Sequence, residues 1–279
     1  MIKNAISKSQ GRKINTALFS ANEKNSISRK RKFSSKIQDH PWIKSHFHSS
    51  SHIISHTDRI LTFVSANTAH GNLSNLSNDF HFLIPKTEGE QKKNIVDQVE
   101  QVLLQTHLVA GIPRTINAFA TLQYFKGGEN EPRRQEHEGA GLRFHEKTEK
   151  DLGEWNLALK TGHRVAESIY GERTLSKLRS KIFSLSPALD RCIMEHGYGQ
   201  ILSQPGLTLL QRELCNIAAL AGMNVSPQLV SHIRGALRLG ATREQIRSLL
   251  DQTFLIFGKE AQEQADSVWL TYERARGAL

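Results

Sequence analysis

GLTLLQRELCNIAALAGMNVSPQLVSHIRGALRLGATREQIRSLLDQTFLIFG, residues 206–258, divides into three helical segments, each with its own start and stop signal. Thr208 with Gln211 reads as a capping box, in which the hydroxyl takes the third amide of the helix and the glutamine reaches back to the cap amide. Gly222 is the expected stop. Ser226 before Pro227 places a cap residue ahead of a first-turn proline, and Gly240 supplies a left-handed stop. Thr242 with Gln245 repeats the capping box, and Gly258 closes the third helix. In the first segment Leu210, Leu214, Ile217, Ala218 and Ala221 form an apolar stripe at helical spacing; in the second, Leu229, Ile233, Ala236 and Leu237 do so. Glu213 lies three residues after Leu210 and four before Ile217, so a carboxylate falls on the buried face. His232 stands in the same relation to Leu229 and Ala236. A short connection makes the two helices antiparallel neighbours, so the acid and the imidazole face a common interior.

Outward from this stretch, the helical pattern covers the chain from Thr57, and no strand pattern competes with it. Gln105-Thr106 with Gly111 precedes Gln252-Thr253 with Gly258 at a constant offset, and Val99, Val102 and Leu103 match Ile246, Leu249 and Leu250 at that offset. Asp58-Arg59-Ile60-Leu61 matches Gln211-Arg212-Glu213-Leu214, and His81 falls near the place of His232. The expected architecture is therefore all-α, with two tandem repeats. The first is degenerate, because Ile60 stands where the acid should be and Pro85 interrupts its middle helix. Residues 57–125 form this copy. Residues 126–153, rich in Gly and charge, read as a linker, and residues 154–279 form the better preserved domain.

The 279 residues carry a net charge of +10, of which residues 1–50 supply +9 through 11 Lys and Arg against Glu23 and Asp39. The remainder is almost neutral, so a phosphate-binding surface is not expected and nucleic acid is discounted as a partner. The Ser-rich, basic composition of residues 1–50 is that of an organelle transit peptide, which predicts mitochondrial import; a plastid signal, a nuclear signal at Arg29-Lys30-Arg31-Lys32 and a plain basic tail are the alternatives. No apolar run is long enough for a membrane-spanning helix. Cys192 and Cys215 form no CxxC. His48, His52 and His56 share a helical spacing but have no carboxylate or cysteine beside them, so no metal site is expected.

These residues carry a resemblance. GHRVAESIYGE, EHGYGQILSQPGLTLLQRELCNIAALAG and PQLVSHIRGALRLGATREQI, within residues 155–270, resemble a γ-carboxymuconolactone decarboxylase domain of the alkylhydroperoxidase-D-like superfamily. LLQTHLVAGIPRTINAFA resembles the segment that ends such a repeat. The resemblance implies an all-α bundle that associates as a homo-oligomer and acts without a cofactor on a small-molecule substrate. In the peroxidase branch a CxxC precedes the motif histidine; here those positions hold Val225 and Gln228, which removes peroxide reduction by that motif. His232 matches the motif histidine and Glu213 the motif acid. After Gly258 the family has proline two residues on, kept as Pro113 in the first copy but replaced by Glu260 in the second.

Decarboxylation of a lactone acid leaves an enolate, so the site needs oxyanion donors and a group that returns a proton to carbon. His232 suits the proton step. Glu213 can hold its tautomer or act as the acid. Arg212 and Tyr198 are the candidate substrate-binding residues, the first for a substrate carboxylate and the second through its hydroxyl. The plain alternative is that Glu213 and His232 tie two helices together in a catalytically silent oligomeric scaffold. A further alternative is a peroxidase-like antioxidant that uses Cys215 or Cys192.

Overall fold

Nine successive residues, Arg212–Leu220, are buried: six are small or apolar, and Arg212, Glu213 and Asn216 are buried with hydrogen-bond partners. A computed structural model of the chain describes residues 53–84, 90–127 and 149–275. Among these residues every regular element is helical. They are α1 (His56–His70), α2 (Leu73–Leu83), α3 (Glu90–Ala110), α4 (Ile112–Phe125), α5 (Glu149–Tyr170), α6 (Glu172–Leu185), α7 (Pro187–Cys192), a π-helical segment (Ile193–Ile201), α8 (Leu209–Leu220), α9 (Ser226–Arg238), α10 (Arg243–Phe257) and α11 (Lys259–Ala275).

Two buried helices cross at the centre. α1 packs along α8, and its residues Arg59–Ala69 are buried as completely as those of α8. Ser65 Oγ donates to the carbonyl oxygen of Cys215 at 2.9 Å, which the small side chains between the two helices permit. Helices α2, α3 and α4 pack on α1, α9 and α10 pack on α8, and α11 packs on α9 and α10. The halves also interlock: α3 packs on α8, α10 packs on α1, Ile54 belongs to the core of the second half, and Cys215 to that of the first. The helix α5 with the π segment forms a third layer around Ala166, Ile169, Tyr170, Leu175 and Met194.

The halves share details beyond helix order. Gly111 (φ +86°) and Gly258 (φ +89°) end α3 and α10 in the same left-handed region, which favours glycine. Arg59 and Arg212 are both buried at the start of their helices, and Gln105 and Gln252 are both buried near the ends of α3 and α10.

Both capping boxes form as expected, at Thr208/Gln211 and Thr242/Gln245. Other expectations are corrected. The helix α8 ends at Leu220, just ahead of Gly222 as expected, but the left-handed conformation of the turn falls on Asn224, at φ +54°. Gly222 is instead covered by the Phe257 ring, which a Cβ there would meet at 2.1 Å. Ser226 begins α9 rather than capping it; Val225 occupies the cap position with no side-chain bond to the helix. The helix α5 starts at Glu149, so the last residues assigned to a linker over 126–153 are helical. Residues 128–148, Pro85, His48, His52 and the N-terminal basic segment lie outside the described residues.

Candidate functional site

The capping box that starts α8 fixes its rotation, and with it the direction of Glu213. Its carboxylate is wholly buried and its Oε2 accepts from Nδ1 of His232 at 2.9 Å. The bond links α8 to α9, which the connection Ala221–Val225 lays against each other. His232 keeps 15% of its side chain exposed. Nδ1 is held by the carboxylate, so Nε2 is the nitrogen left to meet another molecule.

Gly235 makes the approach possible. It lies three residues after His232 on the same face of α9, and a Cβ there would stand 2.7 Å from Glu213 Oε2 and 2.7 Å from a methyl of Ile169. On its other side Glu213 has company from Asn216, one turn later on α8. Asn216 Nδ2 lies 3.4 Å from Glu213 Oε1 and 3.5 Å from His232 Nδ1.

The third layer contributes two phenols. Tyr170, the last residue of α5, accepts from the Tyr198 hydroxyl at 3.1 Å, and the rings meet edge to face. Burial pushes both hydroxyls above the usual phenol range, and the nearby Glu213 charge adds to it, so both keep their protons. Tyr198 reaches this place from the π segment. Such segments redirect side chains within a helix and are frequent at functional sites. Close backbone approach holds it there: a Cβ on Gly199 would meet the Ala158 carbonyl at 2.1 Å, and one on Gly162 the Met194 carbonyl at 1.9 Å.

The expected residues are thus partly assembled. Glu213 and His232 meet directly, and Tyr198 lies beyond Tyr170, near enough for the Glu213 charge to act on its hydroxyl. Arg212 does not join them, because it leaves α8 toward α3. It is 1% exposed, and burial pushes its guanidinium down to about 10. Its Nη1 donates to Gln105 Oε1 (3.0 Å) and its Nη2 to the Gln204 carbonyl (2.7 Å) and Gln101 Oε1 (3.4 Å). Sequence reasoning missed Asn216, Gly235, Tyr170 and the role of Gln105. Asn216 and Gly235 each lie three residues after a chosen site residue, and a glycine inside a helix signals a close approach. Among the described residues no group of three or more His, Cys, Asp and Glu is arranged to hold a metal, and no helix is long and apolar enough to cross a membrane.

Residues 187–269 match the carboxymuconolactone decarboxylase family. The chain is 31% identical to Peroxisomal protein 2 of Schizosaccharomyces pombe over 156 residues, which is 56% of this chain and 66% of the relative. It is 26% identical to Peroxisomal protein 2 of Saccharomyces cerevisiae over 183 residues, 59% of this chain and 62% of that protein. Each alignment therefore leaves about a third of the fungal relative uncovered. Over 106 residues it is 24% identical to 4-carboxymuconolactone decarboxylase of Acinetobacter baylyi, covering 38% of this chain and 79% of the enzyme.

The fungal names overturn the mitochondrial expectation. They point to peroxisomes. The inference failed because Ser-, Lys- and Arg-rich composition records only charge and low hydrophobicity, which targeting signals and basic tails share, whereas an organelle address is read by a receptor.

Proposed function

Since this chain contains a carboxymuconolactone decarboxylase family domain at residues 187–269, we propose that it is a decarboxylase-like enzyme, acting by acid–base chemistry on a small carboxylated lactone or a related acid. The observation that carries the reading is the Glu213–His232 pair: a fully buried carboxylate holds one imidazole nitrogen and leaves the other on a partly exposed side chain.

In the proposed reaction the bond from ring carbon to the substrate carboxylate breaks and carbon dioxide leaves. The electron pair passes into the conjugated lactone, where its charge settles on the carbonyl oxygen. Tyr170, which keeps its proton and accepts from Tyr198, is the donor assigned to that oxygen, and Tyr198 holds the Tyr170 hydroxyl in place. Protonated His232 returns a proton to carbon through Nε2 and is recharged from solvent, while Glu213 stabilises the imidazolium and fixes its orientation. Arg212 is assigned to the scaffold of the site rather than to the substrate, because its donors already meet three oxygens.

Cys215 does not suit the peroxidase alternative. It is fully buried in the first-half core, and burial pushes its thiol well above the usual range, so it holds its proton and offers no thiolate. The peroxisomal names of the fungal relatives favour a peroxisomal location for this chain, and the matching helix orders and glycine stops favour a tandem origin for its two halves.

The test is carbon dioxide release from 4-carboxymuconolactone and related lactone acids by the purified chain. Release that is lost in a folded Glu213→Gln variant supports the proposal; release unchanged in that variant rejects it. No release from any lactone acid favours the silent scaffold.

A further inference from the structure

Gln105 belongs to the first half of the chain, yet it is fully buried against the helix that carries Glu213. Its amide has one allowed orientation. Arg212 can only donate, so the atom 3.0 Å from Arg212 Nη1 must be the oxygen, Oε1. The amide nitrogen then faces two acceptors, the Arg212 carbonyl at 3.0 Å and Asn216 Oδ1 at 3.2 Å. Because Gln105 donates to Asn216 Oδ1, the Asn216 amide is oriented too. Its Nδ2 must turn to Glu213 Oε1, and Glu213 Oε2 is left to take Nδ1–H from His232. Donor direction runs from a guanidinium that cannot accept, through two amides, to the carboxylate, which accepts from Asn216 on one oxygen and from the imidazole on the other.

We propose that Gln105 is a positioning residue of the Glu213–His232 site, supplied by the first half of the chain: it sets the Asn216 amide so that a donor, not an acceptor, meets the buried carboxylate. This gives the degenerate half a role in the site although it has lost its own acid at Ile60. The inference rests on the decarboxylase-like reading for its kinetic consequence but not for its structural one. The corresponding residue of the second half, Gln252, faces the other way: its Oε1 accepts from Thr62 Oγ1 of α1 at 3.5 Å. It is the internal control.

Two variants test the proposal. Gln105→Leu removes both amide functions. Gln105→Glu keeps the shape and the Arg212 partner but cannot donate to Asn216, so it protects against the possibility that the leucine variant fails to fold. Ring 15N resonances of His232 and side-chain amide resonances of Asn216 are recorded in the full chain, and turnover of 4-carboxymuconolactone is followed against pH. In Gln105→Glu the Asn216 and His232 resonances should move, turnover should fall about ten- to hundredfold, as for a displaced catalytic group, and the pH–rate profile should shift. In Gln252→Glu both sets of resonances should stay in place. Unchanged Asn216 and His232 resonances in a folded Gln105→Glu chain overturn the proposal, as does an equal change in Gln252→Glu. The resonances report even on a chain that releases no carbon dioxide, so failure of this inference is distinct from failure of the decarboxylase reading.

Discussion

Gly235 is the residue on which the buried carboxylate depends most sharply. Inside a helix, alanine in place of glycine gains about 1 kcal/mol of propensity. At this position the added methyl would stand 2.7 Å from Glu213 Oε2, closer than real contacts allow. Gly235→Ala should therefore keep its helical circular dichroism, lower the melting temperature and reduce turnover about a hundredfold; wild-type turnover would show that the carboxylate can yield its place. Asp79 gives a second prediction. Its Oδ2 accepts from Asn67 Nδ2 at 2.6 Å, and burial, only partly offset by that bond, pushes its carboxyl up to about 7. The folded chain then holds this proton to higher pH than the unfolded chain. Stability contributed by the neutral acid is present below the unfolded value near 4 and is lost as pH rises through about 7. For this half-buried group the loss should be about 1–2 kcal/mol. Asp79→Asn should flatten the stability curve between pH 4 and 8 in urea titrations.

At the scale of elements, the caps of α8 and α10 and the stripes of α8 and α9 were legible because they are local: a threonine and a glutamine three residues apart meet whatever the tertiary structure. The inward acid and histidine followed from helical spacing on two short-connected helices. What escaped was set by neighbours distant in sequence. Arg212 was judged from its own helix, whereas its surroundings are glutamines of α3. Gly222 carried a stop signal, but contact with Phe257 on α10 decides its use. The π segment was also invisible, since its wider turn arises where α5 approaches so closely that Gly162 and Gly199 touch opposing carbonyl oxygens. Gly162→Ala should pry α5 from the π segment, cost about 3 kcal/mol in denaturant titrations and weaken turnover through Tyr198. A cost below about 0.5 kcal/mol would contradict this packing.

For the whole molecule, the two halves are one structure. Cys215 of α8 completes the first-half core, Ile54 completes the second, and Gln105 reaches from α3 to the Arg212 and Asn216 of α8. The all-α architecture was legible from the chain at this scale, since helical periodicity runs through both halves. The organelle was not, because no packing argument bears on it. The central claim is that Glu213 and His232 form a working acid–base pair and not only a tie between α8 and α9. Chemical rescue tests it most directly. Carbon dioxide release from 4-carboxymuconolactone is measured for the purified chain and for His232→Ala, with and without added imidazole. Loss of about a hundredfold or more in the folded variant, with partial recovery as imidazole is added, is the predicted result. Turnover in His232→Ala equal to that of the unaltered chain, and indifferent to imidazole, would contradict it.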